Sequence, residues 1–214
     1  MAVYTKINKE ELEIFLSNYK LGELKAFTGI VEGIENTIYL ITTEKGKYIL
    51  TLYEKRVKKG DLPFFMNLLS SLSAQGFKCP SPIKDKQKKY INKIKDKNAS
   101  LVSYIEGKSK KKLTPFECKD IGKMCAKIHL LAKKVRGNQN QLSINYWKNI
   151  FNKTKSECDL IKKGLANDIS INLNFLEKNW PKNLPSGIIH ADIFPDNVLF
   201  NAGKVSGIID FYFS

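Results

Sequence analysis

Four polar side chains near the end of the chain have the residue types and the spacing of a catalytic site. His190, Asp192 and Asn197 lie in one polar loop, and Asp210 follows an apolar run downstream of it. Short apolar, β-branched runs that end in carboxylates are typical of buried strands, whose rigid tips hold a reactive loop in place. We therefore predict a catalytic site built on three short strands, at residues 187–189, 198–200 and 205–209.

The spacing His-x-Asp-x-x-x-x-Asn, with Ile-Ile-Asp-Phe downstream, resembles the catalytic loop and the metal-binding Asp of the protein-kinase-like phosphotransferases. In such a site Asp192 accepts the proton of the acceptor hydroxyl and holds its oxygen in line with the γ-phosphate of ATP. Asn197 and Asp210 offer the hard oxygen ligands that Mg²⁺ prefers. We expect His190 to hold the loop by hydrogen-bonding the backbone. A surface turn is the alternative, because Asp-Ile-Phe-Pro-Asp-Asn also favours turns, but a turn does not require the strand that ends in Asp210.

The 214-residue chain is strongly basic, with a formal net charge of +15 from 36 Lys and Arg against 21 Asp and Glu. Such a charge makes nucleic acid a candidate partner. Only Arg56 and Arg136 are arginine, however, and base or phosphate recognition draws on the planar arginine fork. The lysine clusters at 84–97 and 108–112 contain one aromatic residue, Tyr90, so they offer no stacking platform. We predict a lysine-coated, solvated surface, with a nucleic-acid binder as the alternative.

The sequence contains no membrane or export pattern. No run is long and apolar enough to span a bilayer, and the first residues contain no apolar signal core. The four cysteines show no metal-ligand spacing, which indicates reduced thiols. We therefore expect a cytoplasmic protein without a membrane partner, and the sequence leaves its oligomeric state open.

The N-terminal half has the pattern of an antiparallel sheet with a preceding helix. The helix is predicted at 8–19, where Asn8 and Glu11 form a capping box. Three strand-like runs with short links follow, at residues 27–31, 37–43 and 48–53. The first link contains Gly33 and Asn36 and lies where a kinase-like fold places a flexible loop over the nucleotide phosphates. Taken alone, an ordinary hairpin is the better interpretation of this link.

The third strand departs from the kinase pattern. Kinase-like proteins usually carry a lysine there, which pairs with the α- and β-phosphates, and by alternation that slot falls on Thr51. Lys55 or Arg56, just beyond the strand, are candidates to reach the phosphates instead, and a surface charge is the equal alternative for both. The helix predicted at 62–74 has no internal Glu that would pair with such a lysine.

A second strand pattern, at 90–94, precedes an apolar strand at 99–105 that ends in Glu-Gly. Helical patterns follow, which indicates a hinge between two lobes. We expect Ser103, Tyr104 and Ile105 to face adenine, whose edge the backbone groups of a hinge can hydrogen-bond. An inner strand that ends in a turn has the same pattern. Beyond the hinge, helices are predicted at 114–132, 143–162 and 166–180.

These elements predict an α+β, two-lobed, protein-kinase-like fold. The nucleotide-binding lobe, at residues 1–105, consists of an antiparallel sheet with helices. The second lobe, at residues 106–214, is mostly helical and contains the catalytic loop.

The whole pattern resembles the aminoglycoside phosphotransferase and choline kinase superfamily. Thr51 in the lysine slot and several strings are similar to its bacterial homoserine kinase branch. The strings lie at residues 1–5, 33–36, 49–56, 62–65, 190–197 and 209–213. The resemblance implies ATP and Mg²⁺ as cofactors, homoserine as the small-molecule substrate, and O-phosphohomoserine, on the route to threonine, as the product.

The end of the sequence departs from that superfamily. Its members continue beyond the Asp-Phe motif into helices that complete the acceptor pocket, whereas this sequence stops at Ser214. We therefore expect a C-terminally truncated chain whose helical lobe lacks its last helices. Two alternatives stay open. One is a kinase for choline, methylthioribose or an aminoglycoside; the other is an inactive relative that binds nucleotide, which the missing lysine favours and the intact Asp192, Asn197 and Asp210 oppose.

Overall fold

The computed structural model describes residues 4–31, 36–54, 60–137 and 142–214. The chain divides into two units, Met1–Gly137 with Gly187–Ser214, and Asn138–Ser186. The first unit contains both sheets and the predicted catalytic loop, and the second contains two helices. The lobe boundary predicted at residue 105 divides the chain differently and stays a prediction.

A five-stranded antiparallel sheet forms the N-terminal part of the first unit. Its strands are β1 (Leu24–Ile30), β2 (Thr37–Thr43), β3 (Gly46–Tyr53), β4 (Ile91–Ile94) and β5 (Lys97–Ser103). They are ordered β1-β2-β3-β5-β4, and every neighbouring pair is antiparallel. β3 is therefore a central strand, with β2 on one side and β5 on the other. The antiparallel sheet predicted from the three strand-like runs is confirmed.

Three helices of this unit begin at or near the predicted positions. They are α1 (Lys9–Leu16), α2 (Leu62–Ala74) and α3 (Pro115–Leu131). Asn8 and Thr114 accept a hydrogen bond from the backbone N–H three residues further on, while Glu11 and Glu117 bond back to the N–H of the cap. This reciprocal pairing satisfies two of the N–H groups at each helix start that have no partner within the helix. The capping boxes therefore fix where α1 and α3 begin.

The described residues of the first unit form three apolar clusters, and the two larger ones are the first and second cores. Leu50 and Leu52 of β3 lie on one face of the sheet, because side chains alternate along a strand, and both are fully buried with Leu12 of α1 in the first core. The second core joins α2 and α3 to the end of the chain. Its fully buried or nearly fully buried members include Met66, Leu72, Ile128, Ile208 and Phe211. Burial of each large side chain contributes roughly 1.5–3 kcal/mol.

A separate hairpin carries the candidate catalytic residues. Its strands are β6 (Val198–Asn201) and β7 (Lys204–Ile208). Because Val198 pairs with Ile208, Asn197 before β6 and Asp210 after β7 lie at the same end of the hairpin. Backbone hydrogen bonds of 3.0 Å in both directions between Lys108 and Phe200 attach this hairpin to the segment after β5.

The strand predicted at 187–189 is wrong. These residues have no regular secondary structure, and β6 and β7 form their two-stranded sheet without a third described strand. A strand needs a neighbour whose N–H and C=O groups complete its ladder, and an apolar run does not by itself provide one. Ile188 packs partly buried against the second core, whereas Ile189 is 49% exposed. Packing of one side chain therefore accounts for the apolar pattern.

The second unit is a pair of helices, α4 (Ile144–Ile161) and α5 (Leu165–Asn179). Ser143 caps α4 by accepting a hydrogen bond from the N–H of Tyr146. Gly164, with a φ of 84°, makes the turn into α5. The buried residues between the two helices are Phe151, Cys158 and Leu173. Both predicted helices are confirmed, and no helix in the described part of the chain is long and apolar enough to cross a bilayer.

Candidate active site

The loop at 190–197 is closed by hydrogen bonds between its own residues. The amide Nδ2 of Asn197 donates to the carbonyl of Asp192 at 2.8 Å and to its carboxylate Oδ2 at 3.1 Å. A 3-10 turn, Pro195–Asn197, positions this amide, and the N–H of Asn197 donates to the carbonyl of Phe194 at 3.0 Å. Two predicted site residues are thus in direct contact. Asn197 Oδ1 and Asp192 Oδ1 have no hydrogen-bond partner among the described residues.

His190 holds the start of this loop from a buried position, at 2% exposure. Its Nδ1 accepts a hydrogen bond from the N–H of Asp192 at 3.3 Å, so Nε2 carries the proton and donates to the carbonyl of Ile209 at 2.9 Å. Burial lowers the pKa of His190, which favours the neutral ring that this arrangement requires. The predicted hydrogen bond from His190 to the backbone is confirmed.

The backbone of Ile209, just before Asp210, is held by hydrogen bonds to the loop at 190–197. The N–H of Ile209 donates to the carbonyl of Asn197 at 3.0 Å, while His190 binds the carbonyl of Ile209. Asp210 itself has a φ of 65°, in the left-handed region that non-glycine residues rarely adopt. Such a conformation costs about 1–3 kcal/mol and persists where the surrounding contacts determine it. The hydrogen bonds of Ile209 are one such set of contacts.

Asp210 lies in a locally acidic environment, although the chain as a whole is basic. Partial burial raises the pKa of Asp210, the charges of Asp192 and Asp196 raise it further, and a hydrogen bond from the backbone N–H of Tyr212 acts in the opposite direction. A cation beside this carboxylate would relieve the repulsion. The described residues contain no group of three or more His, Cys, Asp or Glu side chains placed to hold a metal. Asp210 and the free Oδ1 of Asn197 instead offer two hard oxygen donors, a set that fits Mg²⁺ because this ion takes its remaining ligands from water and phosphate.

The segment predicted to face adenine begins at the end of β5. Ser103 is held by Ser81, because Ser103 Oγ accepts a hydrogen bond from the Ser81 N–H and the Ser103 N–H donates to the Ser81 carbonyl, both at 2.9 Å. The next N–H, that of Tyr104, donates to the carbonyl of Lys47 at 3.2 Å. Ile105 makes no backbone hydrogen bond to another described residue. Its backbone groups are therefore available to a ligand.

The side chain of Ile105 lies against β7. A Cβ added to Gly207 would come within 2.6 Å of Ile105 Cδ1, so a larger residue at 207 would displace the Ile105 side chain. The segment after β5 and the hairpin that carries Asp210 are therefore in contact.

Of the four residues predicted to lie near the nucleotide phosphates, the structure describes Asn36 and Thr51. Gly33 and Lys55 lie outside the described residues. Asn36 is 7% exposed, and its Oδ1 accepts a hydrogen bond from the N–H of Glu54 at 3.3 Å. This contact ties the start of β2 to the end of β3.

Thr51, in the predicted lysine slot, is buried, and its side chain lies beside the hydroxyl of Tyr212. The hydroxyl of Tyr212 lies 2.9 Å from that of Tyr53, which lies 2.7 Å from Ser100 Oγ. The sequence prediction missed Tyr53, Ser100 and Tyr212. Alternation along β3 puts Tyr53 on the face of Thr51, which was an available signal. The contact between Tyr53 and Tyr212, however, spans 159 positions in the sequence, and no local pattern indicates it.

Comparison with known proteins agrees with the predicted resemblance. The model of a family described as the phosphotransferase enzyme family matches residues 26–214. The chain therefore belongs to the phosphotransferase enzyme family. It is similar to the homoserine kinases of Methylocella silvestris and Xanthobacter autotrophicus, with 44% identity to each over 215 residues, covering 100% of this chain and 67% of each relative. The chain thus spans about two thirds of the length of these curated relatives.

Solved structures show the same fold. A spectinomycin phosphotransferase in complex with ADP and spectinomycin matches with a TM-score of 0.70 and 17% identity, over 97% of this chain and 69% of its own. The choline kinase of Cryptosporidium parvum matches with a TM-score of 0.64 and 15% identity, over 96% of this chain and 64% of its own. At these identities the likeness concerns the fold alone, and it confirms the predicted α+β, protein-kinase-like fold.

Proposed function

We propose that the protein containing this chain transfers the γ-phosphoryl group of ATP to the hydroxyl of L-homoserine, giving O-phospho-L-homoserine and ADP. The reaction class, phosphoryl transfer to a hydroxyl, rests on the contact between Asn197 and Asp192 in a loop that His190 holds. The 44% identity to two homoserine kinases supports the acceptor. The proposed product, O-phospho-L-homoserine, is an intermediate of threonine biosynthesis.

Asp192 is the proposed general base. Its Oδ2 is occupied by the Asn197 amide at 3.1 Å, which leaves Oδ1 for the homoserine hydroxyl. The hydroxyl proton passes to this carboxylate as the oxygen forms its bond to the γ-phosphorus, and the bond from that phosphorus to the β,γ-bridging oxygen breaks to release ADP. His190 positions the base through the N–H of Asp192 and takes no proton itself.

Asn197 and Asp210 are the proposed Mg²⁺ ligands. Asn197 uses its amide nitrogen to orient Asp192 and keeps Oδ1 for the cation, so one side chain serves both the base and the metal. Bound there, Mg²⁺ would neutralise phosphate charge during the transfer. The fixed turn at Pro195–Asn197 and the anchored backbone of Ile209 keep the two ligands at the same end of the hairpin.

The nucleotide is proposed to lie along the segment from Ser103 to Tyr104 and Ile105, where the backbone groups of Ile105 are free to bond the adenine edge. Residues proposed on the phosphate side are Gly33, Asn36, Thr51 and Lys55. Asn36 and Thr51 have protein partners, at Glu54 and Tyr212, so they shape this side of the site from buried positions.

An acceptor panel tests the function. Release of ADP is measured with the protein at its natural full length, Mg²⁺ and ATP, in the presence of homoserine, choline, methylthioribose or an aminoglycoside. We expect release that depends on homoserine and on none of the other three. Dependence on another acceptor would contradict the substrate, and nucleotide binding without release for any acceptor would favour an inactive nucleotide-binding relative.

A further inference from the structure

Three buried residues with hydroxyl groups lie on β3 and β5, two inner strands of the five-stranded sheet, on the face opposite the first core. Thr51 and Tyr53 alternate with Leu50 and Leu52 along β3, and Thr51 pairs with Ser100 of β5. Thr51 is 6% exposed, Tyr53 5% and Ser100 1%. Hydroxyls at such depth require partners, because a buried polar group without a hydrogen bond is destabilising.

Their partner is the hydroxyl of Tyr212, near the end of the chain. Ser100 bonds Tyr53 at 2.7 Å, Tyr53 bonds Tyr212 at 2.9 Å, and the side chain of Thr51 lies beside the Tyr212 hydroxyl. We call these four residues the hydroxyl network. The two hydrogen bonds join three hydroxyls, and since each hydroxyl supplies one proton, each bond can have its own donor. Burial raises the pKa of Tyr53, so its phenol remains protonated for this role.

The ring of Tyr212 is fixed as well as its hydroxyl. It meets the ring of Tyr53 at 83° and that of Phe65 in α2 at 88°, with 5.5 Å between centroids in both pairs. Edge-to-face pairs of this kind are favourable and orientation-specific. Tyr212 is therefore held by a central strand, by a helix and by its own hydrogen bonds.

This fixed tyrosine lies two residues from Asp210, on the opposite side from Ile209. The intervening Phe211 is 1% exposed and packs against His190 with 4.5 Å between ring centroids. The backbone N–H of Tyr212 is near enough to the Asp210 carboxylate to favour its charged form. Asp210 thus has a left-handed backbone with anchors on both sides: His190 and Asn197 hold Ile209, while the hydroxyl network holds Tyr212.

We propose that Tyr212 is a positioning residue for Asp210. Through the hydroxyl network, the position of β3 then determines the position of the carboxylate that binds the divalent cation. The inference rests on the proposed function, which assigns the cation to Asn197 and Asp210. The slot of β3 predicted for a phosphate-binding lysine is occupied by Thr51, so β3 is coupled to the site through neutral hydroxyls. Substitution of a residue that hydrogen-bonds or orients a metal ligand typically lowers metal affinity or activity by 10–100-fold.

The test compares two Tyr→Phe substitutions that each remove one hydroxyl and keep the ring. Tyr212→Phe breaks the hydroxyl network, whereas Tyr90→Phe removes a hydroxyl bond of 2.7 Å to Ser70 of α2, from the residue just before β4. The affinity for a fluorescent ADP analogue is titrated without metal and at increasing Mg²⁺, and the melting temperature is recorded without ligand. Tyr53→Phe is a second variant, because the Tyr53 hydroxyl contacts both Ser100 and Tyr212.

We expect Tyr212→Phe to need about 10-fold more Mg²⁺ for the same gain in nucleotide affinity, with metal-free affinity unchanged. Tyr53→Phe should shift the Mg²⁺ dependence in the same direction by less, since the ring of Tyr212 still packs edge-to-face against Phe65. Tyr90→Phe should lower only the melting temperature. If both network variants titrate with Mg²⁺ as Tyr90→Phe does, the positioning role is overturned. If the nucleotide affinity of the unsubstituted protein does not depend on Mg²⁺, the proposed metal site is overturned, and the positioning role with it.

Discussion

The two faces of β3 are buried to a similar degree but have different roles. Leu50 and Leu52, at 0% exposure, fill the first core, while Thr51 and Tyr53, at 6% and 5%, contact Tyr212, two residues from Asp210. Apolar contacts have no directional requirement and stabilise in proportion to the area buried. Hydrogen bonds between buried hydroxyls contribute less free energy but fix geometry. Burial alone therefore does not distinguish the residues that hold this fold from those that place its site.

The largest effect on stability is expected on the apolar face. Leu50→Ala should lower the free energy of unfolding by about 2–5 kcal/mol, the range for a buried leucine replaced by alanine. The Mg²⁺ dependence of nucleotide binding by the folded fraction should not change. Denaturant unfolding and nucleotide titration measure the two quantities. A change in the Mg²⁺ dependence comparable to that of Tyr212→Phe would remove the distinction between the faces.

A partly buried charge lies just beyond the end of β3. Glu54, with a side chain 10% exposed, accepts hydrogen bonds from the hydroxyls of Thr5 and Thr37 at 2.6 and 2.8 Å, and pairs with Lys97 at 2.8 Å. Burial by itself would raise the pKa of Glu54, but these donors outweigh it and the pKa is lowered. Because the folded-state pKa lies below the unfolded one, the stabilisation is present above the unfolded value, about 4.3, and is lost as the pH falls through the folded value.

Glu54→Gln should therefore destabilise the protein by about 1.5–3 kcal/mol at neutral pH, the range for a hydrogen bond to a charged group, and by less in acid. Melting temperatures of the two proteins between neutral pH and pH 3 measure the difference. Convergence of the two curves in acid is the expected result. A constant gap at every pH would show that the carboxylate charge does not contribute.

The smallest effect is expected within the hydroxyl network. A double-mutant cycle of Tyr53→Phe and Ser100→Ala should give a coupling of about 1 kcal/mol, because the two hydroxyls bond each other at 2.7 Å. The same cycle between Tyr53→Phe and Leu50→Ala, on opposite faces of β3, is the control and should be additive within about 0.5 kcal/mol. Equal coupling in both cycles would mean that the two faces do not act separately.

The sequence predicted features that depend on neighbouring residues. The capping boxes of Asn8 and Thr114 need a partner three residues away, and the alternation of β3 appears within one strand. The predicted strand at 187–189 failed because a strand depends on a neighbour that the apolar run does not specify. The catalytic loop was predicted by its spacing, which places Asp192 and Asn197 in contact through a local turn.

The missed part of the site depends on long-range contact. Tyr212 reaches Tyr53 across 159 positions, so neither residue is distinguishable by its local pattern from an aromatic residue of the core. The absence of a lysine at Thr51 was visible in the sequence, but the partner that Thr51 has instead was not. Residues that position a catalytic group through the fold are therefore harder to predict than the group itself.

The division of roles between Asp192 and Asp210 is the central claim, and two variants of the full-length protein test it most directly. Asp192→Asn should retain Mg²⁺-dependent nucleotide binding and lose homoserine-dependent ADP release by a factor of about 10² to 10⁴, the range for a positioned general base. Asp210→Ala should lose the Mg²⁺-dependent part of nucleotide binding. Nucleotide affinity with and without Mg²⁺, measured for both variants beside turnover, gives the result. If the two variants lose the same function to the same extent, the division of roles is contradicted.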